Sequence, residues 1–278
     1  MMNFCHRPEH FEFRGRDFSL SYVQGGRDAE PALRLRHEVY YREHLGQSLP
    51  EGIDRDKYDR QCWHLLVRDN CSGRLVGTCR INAGGPCGYY SAEEFMIGAI
   101  LETEGKKFEL GRMCIDPDFR NGAVFHLLIL GILNFAGMTG TRQIFGCCSI
   151  PGSLGKETIG CCVNRLKGNY ALSGIPGIEP LVSAALPLLP GNIEQENRAW
   201  KYIQRNCHTP LPFYLLLGAK AAPMPFYDHL FRTYDFFVFL GMAELTAFGR
   251  KMMTSAILMS NASPSPVTAE GSKTTAFS

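Results

Sequence analysis

Apolar and polar residues alternate with a period of roughly two from Lys107 to Ile115, until Asp116-Pro117-Asp118 breaks the pattern. That alternation predicts a strand. From Asn121 to Thr141 the chain carries no formal charge, and Val124, Leu127, Leu128, Ile129, Ile132, Leu133 and Phe135 are apolar at helical spacing or nearly all round. A buried helix is the expected outcome. A membrane span needs about 20 predominantly apolar residues, whereas Asn121, Gly122, His126, Gly131, Asn134, Gly137 and Gly140 interrupt this run.

The same periodicities organise the rest of the chain. Pro31 to Leu45 reads as a helix with proline in its first turn and Gly46 at its end, followed by a polar loop from Gln47 to Gln61 with Asp54, Asp56 and Asp59. Trp63 to Arg68 and Leu75 to Ile81 read as strands joined by a hairpin turn, Asp69-Asn70-Cys71-Ser72-Gly73. A helix is predicted from Ala92 to Glu102 with Ser91 as its cap, a buried strand from Gln143 to Ser149, and a helix from a Ser153 cap to about Lys167. Strand, helix, strand, helix in this order predicts an α/β (α+β) fold with parallel pairing across a right-handed crossover.

Dense proline and glycine after Gly168 predict an irregular excursion at about 168–210. Pro212 to Leu217 and Phe236 to Leu240 read as late strands, separated by the aromatic residues Phe226, Tyr227, Phe231 and Tyr234. The resulting division is an N-terminal arm at 1–18, a domain at 19–245 and a disordered tail at 246–278, whose end is rich in Ser, Thr, Ala and Pro.

Composition limits the chemistry. The 278 residues suffice for one elaborated domain, and a net charge of +2 argues against wholesale nucleic-acid binding while permitting a local basic patch. Met1 to Arg16 lacks the apolar segment of a signal peptide, so a cytoplasmic protein is expected. The 11 cysteines include the adjacent pairs Cys147-Cys148 and Cys161-Cys162 without the spacing of a zinc site, so no metal is expected and the thiols read as reduced packing residues. Cys114 and Cys148, near the central strand, leave open an acyl-cysteine route.

The strand itself carries the sharpest chemistry. Glu109 and Arg112 are three apart and would face opposite sides of a regular strand, but a bulge at Gly111 would turn both toward one cleft. Beyond it, Arg120-Asn121-Gly122-Ala123 would present the unpaired N–H groups of a helix start to a phosphate.

In order and spacing, several segments resemble the GNAT-fold N-acyltransferases that take acyl chains from acyl carrier protein. They are Leu35-Arg36-His37-Glu38-Val39-Tyr40, Asp56-Lys57-Tyr58-Asp59, Val76-Gly77-Thr78-Cys79-Arg80-Ile81, Tyr90-Ser91-Ala92-Glu93-Glu94-Phe95, the run from Phe108 to Arg120, and Phe145-Gly146-Cys147-Cys148-Ser149. The resemblance is to ornithine N-acyltransferases and long-chain N-acyl amino acid synthases, and more distantly to acyl-homoserine lactone synthases. It implies a GNAT-type fold with a central mixed, splayed sheet flanked by helices.

It also implies transfer of a long, 3-hydroxylated acyl group from acyl carrier protein to an amino acid, with Glu109 as general base, acting directly or through water. Arg36, Asp56, Asp59, Arg80, Phe95, Arg112 and Ser149 would serve the substrates, Arg112 and Arg36 by fixing the cleft with Asp56 and Asp59 as their partners or, alternatively, with those aspartates gripping the acceptor's amine. Arg120, Asn121, Gly122 and Ala123 would hold the phosphopantetheine phosphate. The acyl-phosphopantetheine donor would be the only cofactor, with no tightly bound one. Partners would be acyl carrier protein, which Arg120, Lys156, Arg165 and Lys167 would help dock, the acceptor, and peripherally a membrane. The chain departs from the ornithine branch at Ala222-Pro223-Met224-Pro225-Phe226-Tyr227-Asp228. The expected acceptor is nevertheless the α-amine of ornithine, giving a lyso-ornithine lipid, with an aromatic amino acid such as tyrosine as the alternative acceptor and a non-catalytic module binding lipid or carrier protein as the alternative class.

Overall fold

Alternation, turn chemistry and apolar runs yield the following elements along the chain: β1 (Glu12–Arg14), β2 (Phe18–Gln24), α1 (Glu30–Arg36), β3 (Trp63–Asp69), β4 (Leu75–Asn82), α2 (Gly98–Glu102), β5 (Lys107–Ile115), α3 (Ala123–Thr139), β6 (Gln143–Pro151), α4 (Lys156–Asn169), α5 (Ile193–Asn206), α6 (Leu211–Leu217), β7 (Lys220–Ala221), β8 (Phe226–Asp228), β9 (Thr233–Gly241) and α7 (Ala247–Ala262). The computed structural model describes residues 7–186 and 192–262. One mixed sheet runs β1-β2-β3-β4-β5-β6-β9-β7, with β8 also paired to β9. Only β5 and β6 pair in parallel within this order, as the intervening helix α3 predicts.

Helix α3 lies on β2, β3 and β4 and carries α7 in turn. Its buried Asn134 accepts from the Tyr22 hydroxyl at 3.2 Å and donates to the Ala256 carbonyl at 3.0 Å, so the polar residue that interrupts the apolar run ties sheet and helix together. Among the described residues no helix is long and apolar enough to cross a membrane.

Several sequence expectations need correction. Residues 247–262, assigned to the disordered tail, form α7, because Met252, Met253, Ala256 and Met259 bury themselves in the core. The remainder of that tail, residues 263–278, lies outside the described residues, as do 1–6 and 187–191. Residues 12–14 of the supposed arm pair with β2. The excursion contains a regular helix, α5, capped by Asn192 Oδ1 accepting from the N–H groups of Glu194 and Gln195.

Pro212–Leu217 is helical, not extended. Proline sits in the first turn of α6 and Gly218 ends it in the left-handed region at φ 118°, a start and stop that a short apolar run does not reveal by periodicity. The helix predicted over 92–102 survives only as α2. Upstream, a 3₁₀ turn at Tyr90–Glu93 is held to β5 from outside, and Phe95 bridges to Pro180. Ser153 does not cap α4, which starts after Gly155.

Candidate active site

The parallel register of β5 and β6 ends after three pairs, Lys107 with Gln143, Phe108 with Ile144 and Glu109 with Phe145, although both strands continue for six more residues. β6 stays paired with β9 throughout, so β5 leaves it and a wedge opens between them. At the apex a Cβ on Gly146 would collide with the Leu110 carbonyl oxygen, so only glycine lets the two backbones approach there. The wedge leads into a cavity of about 860 Å³. Leu110, Arg112, Met113 and Cys114 line one side and Cys147, Cys148 and Ser149 the other, while Ile129, Ile132 and Leu133 of α3 with Tyr214, Val238 and Leu240 form its apolar depth.

Glu109 and Arg112 both line this cavity, but the bulge is not at Gly111. Gly111 pairs with Arg80 and Cys114 with Thr78, so Arg112 and Met113 together face Cys79. Arg112 itself has φ 50°, a left-handed conformation that non-glycine residues seldom adopt, and the irregularity turns its guanidinium toward the site.

Three donors hold Glu109. The N–H of Ser91 reaches Oε1 at 2.5 Å, and the N–H of Tyr90 and the amide of Asn82 reach Oε2 at 2.8 and 3.2 Å. These bonds tie the 3₁₀ turn at Tyr90–Glu93 to β5. A carboxylate offers about four acceptor positions, so one remains for an amine or water.

Beneath Arg112 runs a buried ionic network. Arg36, fully buried, donates to Asp54 and Asp59 at 2.7 Å each; Arg80 reaches Asp56 at 2.6 Å and Asp59 at 3.0 Å. Arg112 meets Asp56 at 3.5 Å and Asp54 at 3.8 Å, with its guanidinium 5.0 Å from the Tyr90 ring and 5.4 Å from that of Phe231. Its Nε is buried without a hydrogen-bond partner. Although desolvation alone would lower the Arg112 pKa, Asp54, Tyr90 and Asp56 raise it overall, so the guanidinium is charged. Asp59 is held down to about 2 because its attraction to Arg36 and Arg80 outweighs desolvation.

Of the residues expected to serve the substrates, Arg80, Arg112 and Ser149 line the cavity, whereas Arg36, Asp56, Asp59 and Phe95 do not. Arg36 and Asp59, buried, and Asp56, half-buried, form the ionic support, the arginine–aspartate partnership expected of them, and Phe95 packs against Phe237 in a separate apolar cluster. Gly122 and Arg120 border the cavity, and Asn121, Gly122 and Ala123 are exposed at the start of α3. Arg120, however, is bound through both terminal nitrogens to Glu43 and through Nε to the Ile115 carbonyl, and the Asn121 side chain accepts from the Ala123 N–H. Arg165 stacks on Trp200, leaving Lys156 and Lys167 as the exposed members of the expected basic surface. Burial pushes Cys114 up to about 12 and raises Cys148 further, so neither holds a ready thiolate.

Sequence reasoning missed a second set of acids. Glu94, Asp228 and Asp235 are buried with carboxylate oxygens within 4.8 Å of one another, and Asp228 and Asp235 line the cavity. The available signal was an aspartate inside the apolar run from Tyr234 to Leu240. Glu94 is pushed up to about 8 by burial and then by Asp235, and Asp235 to about 6 by burial, with Arg112, Ser149 and Thr233 pulling it down. Cys147 and Tyr90 lie beside Glu94.

Raised carboxylate pKa values mean that the folded chain binds more protons here than the unfolded one. Their stabilising contribution is therefore complete below the ordinary carboxylate range and disappears as pH rises to about 8. Denaturant titrations from pH 5 to 9 should show the protein losing on the order of 3 kcal/mol more than its Glu94→Gln variant; parallel pH profiles would contradict the charge burial.

The fold and the wedge define a GNAT acyltransferase. The family model for the acetyltransferase (GNAT) domain matches residues 35–130, and a CoA-dependent acyl-homoserine lactone synthase solved with SAM and isopentyl-CoA shares the fold at a TM-score of 0.50, 14% identity and 90% coverage of both chains. L-ornithine N(alpha)-acyltransferase of Rhizobium meliloti (strain 1021) is 30% identical over 240 residues, 79% of this chain and 78% of that protein. The enzyme of the same name from Agrobacterium fabrum is 29% identical over 242 residues, 79% of each chain. The protein belongs to the family of GNAT-fold N-acyltransferases that contains these enzymes, and it is an acyltransferase.

Proposed function

We propose that the protein transfers a long acyl group, 3-hydroxylated in the donor to be tried first, from the phosphopantetheine thioester of acyl carrier protein to the α-amine of an amino acid, foremost ornithine. The observation that carries this reading is the cavity itself, which joins Glu109 and Arg112 at the wedge to an apolar depth suited to an alkyl chain. The names of the two relatives support ornithine as acceptor.

Amide formation from a thioester needs an uncharged amine, an acceptor for its proton and stabilisation of the developing oxyanion. In this reading the remaining acceptor position of Glu109 takes the amine proton, directly or through water. Arg112, which lines the cavity with its Nε held toward Asp54 at 3.8 Å, offers its charge to the acceptor's α-carboxylate. Strand β5 beyond Glu109, unpaired on its β6 side, offers backbone groups to the amides of the pantetheine arm. Its phosphate would meet the exposed start of α3 at Gly122, and Arg120 would join only by releasing Glu43.

An aromatic acceptor draws less support. Phe231 contacts Tyr40, Tyr41 and Arg112, and Tyr227 packs on Tyr234 at 4.8 Å, so these rings are engaged with neighbours. Purified protein supplied with 3-hydroxyacyl-acyl carrier protein and equal ornithine and tyrosine should yield N-acylornithine by mass spectrometry. N-acyltyrosine alone would refute the acceptor assignment, and transfer only from acyl-CoA would refute the donor. A requirement for S-adenosylmethionine would indicate lactone synthesis instead.

A further inference from the structure

Three buried acids that face one another require an explanation in terms of charge. The paired acids of the ionic network have arginines within hydrogen-bond reach, but neither oxygen of Glu94 has a partner that meets hydrogen-bond geometry, and the residue is only 2% exposed. Asp235 accepts from the Thr233 hydroxyl at 2.9 Å, and Asp228 Oδ1 accepts from the N–H groups of Leu230 and Phe231 at 2.7 and 3.0 Å. These are neutral donors. Arg112, the cation that acts on Asp235, is held by Asp54 and Asp56. A buried carboxylate without a counter-charge is costly and turns toward its neutral form, and a ligand that brings a cation among such groups offsets that cost.

We propose that Glu94, Asp228 and Asp235 form the subsite for the side-chain ammonium of a basic amino acid acceptor, so that Glu94 and Asp235 select a dibasic over a neutral amino acid. This inference rests on the reading that the protein acylates an amino acid. An alkylammonium has three donors in tetrahedral directions. Three oxygens at about 2.8 Å from such a nitrogen stand roughly 4.6 Å apart, within the 4.8 Å that bounds the carboxylate oxygens here.

The connections to the wedge are short along the chain. Glu94 follows the turn whose Tyr90 and Ser91 N–H groups grip Glu109, Asp235 is the cross-strand partner of Ser149, and Asp228 and Asp235 share the cavity wall with Arg112. An amino acid bound by its carboxylate at Arg112 and its side-chain ammonium at the three acids would lie in the same cavity that Glu109 lines. Cation binding also displaces protons from the acidic cluster, which lies among Tyr90, Cys147, Arg112 and the three acids themselves.

Isothermal titration of the full chain with ornithine and with norvaline, its isostere without the terminal ammonium, tests the subsite. Ornithine should bind at least about 50-fold more tightly and release protons, measured in two buffers of different ionisation enthalpy. Glu94→Gln, and separately Asp235→Asn, should erase that preference in variants whose far-UV spectra match the unaltered protein. Equal binding of the two amino acids, or a preference that survives both substitutions, overturns the proposal, as does ornithine binding that is competitively displaced by magnesium or calcium and restored by a chelator, which would assign a metal site. Transfer assays on the same samples separate the two readings. Discriminating binding without any acyl transfer would refute the proposed reaction and leave the subsite, whereas transfer without discrimination would refute the subsite and leave the reaction.

Discussion

Glutamine at position 109 is expected to lower turnover at least 100-fold. The substitution removes the proton acceptor and also inserts an amide into a cradle of donors, since Tyr90, Ser91 and Asn82 all point hydrogen at the carboxylate. One of those three must then face an N–H₂ group, and the turn carrying Glu94 shifts with it. Steady-state kinetics across pH separate the base from the support. If Glu109 takes the amine proton, the residual activity of Glu109→Gln should climb with pH as free amine accumulates, while Glu109→Asp, which keeps the charge, should retain more activity at neutral pH. Turnover within threefold of the unaltered enzyme would remove Glu109 from the mechanism.

Replacing Arg36 with methionine should destabilise the fold by about 3 kcal/mol, because it removes the nearest counter-charge of buried Asp54 and Asp59 and leaves them only Arg112 and Arg80. Against a typical total of about 5–15 kcal/mol, that is a large fraction, readable from the midpoint of urea unfolding. The pH dependence has a definite sign. Asp59 is depressed in the folded state, so its contribution is present above the unfolded carboxylate pKa and lost as pH falls from about 4 toward 2. The Arg36→Met variant should lose less stability across that window. Since Asp54 meets both Arg36 and Arg112, the same variant should raise the Michaelis constant for the acceptor; an unchanged constant in the folded fraction would mean that the network supports the fold but not the site.

Much of the donor half of the site was legible because it is local. The alternation of Lys107 to Ile115, the uncharged helix after it and the glycine between them are close in sequence, and the structure forms strand, turn and helix in that order. Gly111 offered the bulge to sequence reasoning, yet register on β4 assigns the extra residue to Arg112 and Met113. A pairing register depends on the neighbouring strand and cannot be read from one strand alone. Residues 92–102 show the same limit, since the turn held to Glu109 and the bridge from Phe95 to Pro180 depend on partners distant in sequence.

The ionic support was only half legible. Arg36, Asp56, Asp59 and Arg80 stood out as chemistry-bearing residues, but their types do not distinguish substrate contact from buried pairing. Burial decides it: Arg36, Asp59 and Arg80 are almost entirely enclosed, and Arg80 alone of these four reaches the cavity. The tail helix escaped notice because its apolar methionines and alanines acquire a role only against the face of α3 that they cover.

Sequence alone determined the elements that one stretch of chain can specify: β5, α3, the β3–β4 hairpin, and Glu109 and Arg112 as the charged pair of the central strand. Tertiary structure decided everything that depends on two distant stretches meeting. It separated β5 from β6 into a wedge, packed α7 on α3, and gathered Glu94, Asp228 and Asp235 from three segments into one buried cluster. The physical reason is the range of the forces involved. Periodicity and turn preference act over a few residues, whereas desolvation and charge pairing depend on what the fold brings within a few ångströms.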